Sequence, residues 1–246
     1  MPFTFSHPAV VLPFRYIGKK YFSITGLVIG SIIPDFEYFL RVENRSHFSH
    51  TWPGVFWFDL PLGIIVCFVF HNIIRGPFIA NAPYPLYTRF IRYHSFNWNK
   101  YYGNNWLKVM YSIIIGVVTH IIADKITHKS SNLVSSVPGL LETQEFIDSP
   151  KSIYRVIQVT FSIIGLALCA LTVWQLPTTK QIQDYNPNYR YWSIITGIFS
   201  VMLVIIIYKQ GYDTTDLIVS TMSSLMAAFL LASLIMLPDK KLYLVR

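Results

Sequence analysis

Three stretches of this chain, Val156 to Leu176, Trp192 to Tyr208 and Leu217 to Leu237, contain no charged residue at all. Each approaches the ~20 apolar residues that cross the hydrocarbon core of a bilayer. In that solvent every backbone polar group must find its partner inside the segment, so such stretches have to be helices. The composition agrees: 13% of residues are charged and 53% hydrophobic, with a mean hydropathy of +0.43, where a soluble domain carries about 25% charged residues. A soluble globule, a disordered chain and a disulfide-rich secreted scaffold are all excluded. The expected fold class is all-α, a multi-pass membrane helical bundle.

The first half of the chain is apolar in a different way, because its hydrophobic stretches carry residues that lipid disfavours. Ile24 to Leu40 is apolar for ten residues and then meets Pro34, Asp35 and Glu37. A run that short is re-entrant more readily than spanning. Val55 to Ile74 is long enough to span but holds Asp59, Pro61 and His71, and Leu107 to Ala123 runs into His120 and Asp124. Five or six spans follow, according to whether Ile24 to Leu40 crosses. With six, the basic residues concentrate on the N-terminal side, the asymmetry that orients membrane proteins; with five they divide evenly. The short apolar run and Asp35 within it favour five.

Net charge is +8, with 20 Lys and Arg against 12 Asp and Glu. In a multi-pass protein this reflects basic loops and anchors, with Trp and Tyr at the headgroups, and no nucleic acid is expected as partner. Arg75 to Trp106 is rich in proline and aromatic residues and reads as a cytoplasmic loop, since no acidic residue occurs from Leu60 to Ala123 while Arg75, Arg89, Arg92, Lys100 and Lys108 are basic. Cys67 and Cys169 lie in apolar runs about a hundred residues apart and read as core thiols. No cleavage site of the small-x-small kind follows the first apolar stretch, so no signal peptide is expected. The chain divides into residues 1–150, a helical region with the basic loop 75–106 and the candidate chemistry, and residues 151–246, a three-helix anchor; the two form one structural unit.

All seven histidines, His7, His47, His50, His71, His94, His120 and His128, lie at or before position 128. Ionisable groups in or beside a span are costly and point to function. The clearest pattern is His120, Asp124, His128. Four residues of helix turn by about 400°, so each side chain is offset by only ~40° from the one before, and the three share a face if the helix continues that far. Two imidazoles and a carboxylate suit zinc; a helix-internal polar pair with a solvated His128 is the alternative. One span leads away from Asp35, His47 and His50 and the next returns, so these residues can join the same site, as can His7 if Ile24 to Leu40 is re-entrant. Ser6 is placed to cap a helix begun near Pro8. Arg41 and Arg45 could contact a substrate anion or snorkel to headgroups. Glu142 and Glu145 could complete a metal shell, although a solvated loop is their simpler setting. His71 and His94 read as interfacial or loop residues.

The opening MPFTFSHPAVVLPF, the runs GLVIGSIIPDFEYFL and FDLPLG, the Ser49-His50-Thr51 triplet and the THxxxDxxTH at Thr119 to His128 together resemble the bacterial membrane family called domain of unknown function 4184. That family is similar, more distantly, to bacterial inner-membrane proteins described as metal-dependent hydrolases, and through them to the zinc-dependent phospholipase C and single-strand nuclease superfamily. The resemblance implies a bacterial cytoplasmic-membrane protein with zinc ligands in the order His7, Asp35, His50, His120, Asp124 and His128, with Asp124 as a bridging carboxylate. The superfamily's N-terminal Trp ligand and final His-x3-Glu have no counterpart here, which implies one or two ions instead of three. The activity expected is hydrolysis of a phosphoester or another lipid-borne ester. A non-catalytic polar network or metal staple is the competing expectation. Transport ranks below both, since the polar residues sit at helix ends and no internal repeat is present.

Overall fold

The computed structural model describes residues 3–18, 20–43, 45–127, 143–146, 149–179, 185–210 and 214–237. Apart from a small antiparallel hairpin, β1 (Thr143–Phe146) with β2 (Ser149–Ser152), the described chain is helical. Four short helices come first: α1 (Pro8–Val11), α2 (Phe14–Ile17), α3 (Ile24–Gly30) and α4 (Phe36–Arg41). Then follow α5 (Trp52–Asn81), α6 (Tyr84–Phe90), α7 (Trp98–Thr127), α8 (Ile153–Trp174), α9 (Arg190–Gln210) and α10 (Thr214–Ile235). Among the described residues five helices, α5 and α7 to α10, are long and apolar enough to cross a membrane.

Ile24 to Leu40 is not a single helix. The seven-residue α3 ends before a 3-10 turn at Ile33–Asp35, and α4 follows as a separate short helix. Pro34, which disfavours a helical conformation for the residue before it, falls within that break. The basic stretch from Arg75 to Trp106 is more helical than a loop reading allows: α5 continues through Pro77 to Asn81, α6 fills Tyr84–Phe90, and α7 starts at Trp98. Helix α5 accommodates its prolines through two π-helical turns, Val55–Asp59 just before Pro61 and Phe70–Ile74 just before Pro77. A proline lacks the N–H that would bond four residues back, and a wider turn ahead of it takes up the mismatch.

By Cα proximity the chain divides into two interleaved units. The first comprises residues 1–35, 48–64 and 105–175; the second comprises residues 36–47, 65–104 and 176–246. In the first unit α3 lies backbone against backbone on α7. A Cβ added to Gly30 would come within 2.1 Å of the Ile113 carbonyl oxygen, and one on Gly116 within 2.4 Å of the Leu27 carbonyl oxygen. The Ser23 amide, at the start of α3, donates to Ser112 Oγ of α7 at 3.0 Å. Gly165 of α8 admits the N-terminal segment in the same way, since a Cβ there would meet the Ser6 carbonyl oxygen at 2.7 Å. The Phe3 amide donates to Ser162 Oγ, also on α8.

The second unit is built on α9 and α10, which pack through Tyr191, Ile195, Ala228 and Ala232, all buried. The Tyr191 hydroxyl and Ser233 Oγ lie 3.0 Å apart inside that contact. Ser223 of α10 donates to the Phe39 carbonyl of α4 at 2.8 Å. Cys67 is buried and Cys169 half-buried, and both are free thiols.

Candidate metal centre

Four side chains of the first unit meet at one point. Helix α7 supplies His120 and Asp124, one turn apart on a single face. The 3-10 turn broken out of the first apolar stretch supplies Asp35, and the residue just ahead of the α5 cap supplies His50. One nitrogen or carboxylate oxygen from each lies within 4.8 Å of the other three, so the group could hold a metal ion. His50 Nε2 is 3.2 Å from His120 Nε2, 3.3 Å from Asp124 Oδ2 and 3.7 Å from Asp35 Oδ1. His120 Nε2 is 3.5 Å from both Asp35 Oδ1 and Asp124 Oδ2.

Four of these five separations exceed the usual hydrogen-bond range, and all five lie near the edge length of a coordination tetrahedron. For ligands ~2.0–2.1 Å from a central ion, a tetrahedral edge is 1.63 times longer, about 3.3–3.4 Å. Octahedral coordination at the same radius has adjacent ligands only about 2.9 Å apart. The donor set, two imidazoles and two carboxylates, also suits zinc. Asp35 Oδ1 is buried without a hydrogen-bond partner, as are both ring nitrogens of His7, and buried polar atoms of this kind call for an explanation.

The surrounding residues orient the donors. His120 Nδ1 lies 2.8 Å from the Ser31 carbonyl oxygen, which can only accept, so Nδ1 carries a proton and Nε2 faces the carboxylates. The close packing at Gly30 and Gly116 brings that carbonyl within reach. Thr4 Oγ1 donates to Asp35 Oδ2 at 2.5 Å, leaving Oδ1 turned toward the two imidazoles. His50 has a φ of 63°, the left-handed region uncommon for any residue with a Cβ. Its conformation is held between Ser49 Oγ, 3.0 Å from His50 Nδ1, and Thr51, whose Oγ1 accepts from the Gly54 amide to cap α5. Strain of this sort gathers at functional sites.

His7 stacks on His120, with ring centroids 4.0 Å apart, and its Nε2 stands 3.6 Å from Asp124 Oδ1. Burial, with the neighbouring His120 ring, pushes His7 down to about 4 against the opposing pull of Asp124 and Asp35, so it is neutral near pH 7. Burial would raise Asp35, but the adjacent His120 ring outweighs it and holds the carboxyl below its ordinary range. His50 is the most accessible of the four cluster members, its side chain 19% exposed.

The other candidates fall elsewhere. His128, Glu142 and the residues around them lie outside the described residues, as does the Glu145 side chain. His47 and Arg41 belong to the second unit, where the His47 amide donates to Glu37 at 2.8 Å and Arg41 pairs with the same carboxylate at 3.1 Å. Arg45 is exposed. Ser6 does not cap α1; its hydroxyl donates to the Phe3 carbonyl and closes the preceding 3-10 turn, while His7 takes the cap position before Pro8. Thr4, Ser31 and Ser49 escaped the sequence reading. The serine of Ser49-His50-Thr51 was the one visible signal among them, and a backbone carbonyl such as that of Ser31 leaves none.

Five helices able to cross a bilayer and a buried His/Asp cluster define a multi-pass helical membrane protein with a candidate metal centre. Residues 1–236 match the family described as a domain of unknown function (DUF4184), and the chain belongs to that family. No curated protein matches the chain, and no solved structure does.

Proposed function

We propose that the protein is a metal-dependent hydrolase of the bacterial cytoplasmic membrane, acting on a phosphoester or another lipid-borne ester. The observation that carries this reading is the way Asp124 faces two ways: Oδ2 toward His50 and His120, Oδ1 toward His7, a buried imidazole with no hydrogen-bond partner. A carboxylate shared between two donor sets is what a two-metal hydrolytic centre requires. Asp35, His50, His120 and Asp124 would hold the first ion, zinc by geometry and donor type. His7, with His128, would hold a second or orient the nucleophile. A divalent ion in such a site lowers the pKa of a water molecule to near 7 and polarises the scissile group. The chain's own contribution is to keep His7 neutral by burial, hold the His120 tautomer through Ser31, and fix Asp35 through Thr4. His50, the most accessible ligand, marks the side from which a substrate would approach.

The test is turnover by purified, zinc-loaded protein in lipid nanodiscs, offered phosphomonoester, phosphodiester and acyl-ester lipids. Hydrolysis of one class that disappears in Asp124→Asn and on chelation is expected. Protein carrying one or two zinc ions per chain that hydrolyses none of them would defeat the reading. A structural zinc is the second reading, favoured by a specific observation: four protein donors converge on one point, and closed four-ligand sites are the structural kind. It predicts that chelation lowers stability and nothing else.

A further inference from the structure

A second polar cluster, inside the second unit, is built around a guanidinium without a carboxylate. Arg75, in the last third of α5, donates from Nη1 to His71 Nδ1 at 2.9 Å and from Nη2 to the Phe96 carbonyl at 2.6 Å. Both acceptors are neutral. Among the described residues no carboxylate pairs with Arg75, and the sequence holds no acidic residue from Leu60 to Ala123. Arg75 Nε is buried with no hydrogen-bond partner.

The ring that accepts from Arg75 continues into an aromatic wall. His71 stacks on Trp98 with centroids 4.3 Å apart and planes within 9°; Phe96 lies beneath the guanidinium at 5.6 Å. Trp98 is 1% exposed, and its indole N–H has no acceptor. Burial and the nearby Arg75 charge hold His94 below its ordinary range, so a second imidazole borders the same charge. Two buried donors lack acceptors beside a cation that lacks an anion. The missing partner is an anion rich in acceptor oxygens. The guanidinium meets Phe96 at an exposed hydrogen bond, which leaves one edge open to a ligand.

We propose that Arg75, with the Trp98 indole N–H, forms a binding site for a phosphate group, supplied by the headgroup of an anionic phospholipid. Arg75 sits near the end of a membrane-crossing helix, in the most basic stretch of the chain, where anionic headgroups gather. A guanidinium presents a planar fork of donors that matches phosphate oxygens bidentately, and the Trp98 indole N–H supplies one donor more.

The experiment is native mass spectrometry of the full chain, released from detergent after titration with phosphatidylglycerol, phosphatidylcholine or inorganic phosphate. One phosphatidylglycerol retained per chain, at least tenfold more tightly than phosphatidylcholine, is expected. Arg75→Gln should weaken retention about tenfold and Trp98→Phe severalfold, while Arg92→Gln, an exposed arginine over Tyr93, should leave it unchanged. Failure of millimolar inorganic phosphate to displace the lipid identifies the headgroup as the source; displacement by free phosphate alone overturns the lipid assignment. Should Arg75→Gln not fold, the wild type still decides, because equal retention of the two lipids overturns the site. So does wild-type behaviour in folded Arg75→Gln and Trp98→Phe.

Discussion

If the cluster holds an ion, removing it should destabilise the protein by an amount set by the ion's affinity and free concentration. Asp35 and Asp124 are buried carboxylates within 4.8 Å of each other in the four-residue group, and a cation among them offsets their repulsion. An ion bound only by the folded state stabilises it by about 2.7 kcal/mol when free metal is 100 times the dissociation constant. For a chain of this size each kcal/mol shifts the melting temperature by about 2–4 °C, so chelation should lower Tm by about 5–10 °C. The assay is thermal unfolding of purified protein in detergent, followed by tryptophan fluorescence, with chelator and then with zinc added back. Zinc should restore the loss in wild type, and magnesium should not, because the donor separations lie nearer tetrahedral than octahedral edges. His120→Gln and Asp124→Asn should lose the zinc-dependent shift entirely. Identical Tm values with chelator and with zinc, in protein that holds no metal, would refute the argument from edge lengths.

Thr4→Val removes the hydrogen bond to Asp35 Oδ2 while keeping the side chain's shape, and should weaken zinc affinity 10- to 100-fold, read by competition with a calibrated chelator. His7→Gln should reduce a two-zinc protein to one ion per chain in elemental analysis, while leaving the thermal shift from the first ion. His50→Gly relieves a left-handed backbone worth about 1–2 kcal/mol, so metal-free protein should melt at or above the wild-type temperature although zinc no longer raises it. Gly116→Ala would drive a Cβ to within 2.4 Å of the Leu27 carbonyl oxygen and should prevent stable accumulation. Gly76→Ala, with nothing within 4 Å, should be neutral or gain up to about 1 kcal/mol, compared by expression level and Tm.

The parts of this protein that could be read from its sequence are those dictated by periodicity and solvent. Three of the five long apolar helices follow from charge-free length, and His120 with Asp124 from helical spacing. The break at Pro34 follows from backbone sterics. What escaped reading depends on approach between segments. Nothing in the chain says that Gly30 and Gly116 face each other, so nothing pointed to the Ser31 carbonyl as the group that sets the His120 tautomer. Thr4 had no visible purpose until Asp35 was beside it. The stretch after Arg75 misled for a different reason, because its prolines suggested a loop where π-helical turns allow a helix to persist.

The broken first apolar stretch is the link between fold and chemistry. A continuous helix from Ile24 to Leu40 would carry Asp35 onward on a face set by α3, and that face is committed to glycine contacts with α7. Ending α3 at Gly30 separates the two requirements: Gly26 and Gly30 serve the packing, and the 3-10 turn at Ile33–Asp35 is free to aim a carboxylate at His120. The same contact that lets α3 approach α7 therefore also delivers the Ser31 carbonyl and Asp35 to the centre. A substitution at Gly30 or Gly116 should then abolish zinc binding along with folding, whereas substitutions at the donors should abolish zinc binding and its stabilisation but leave a folded protein.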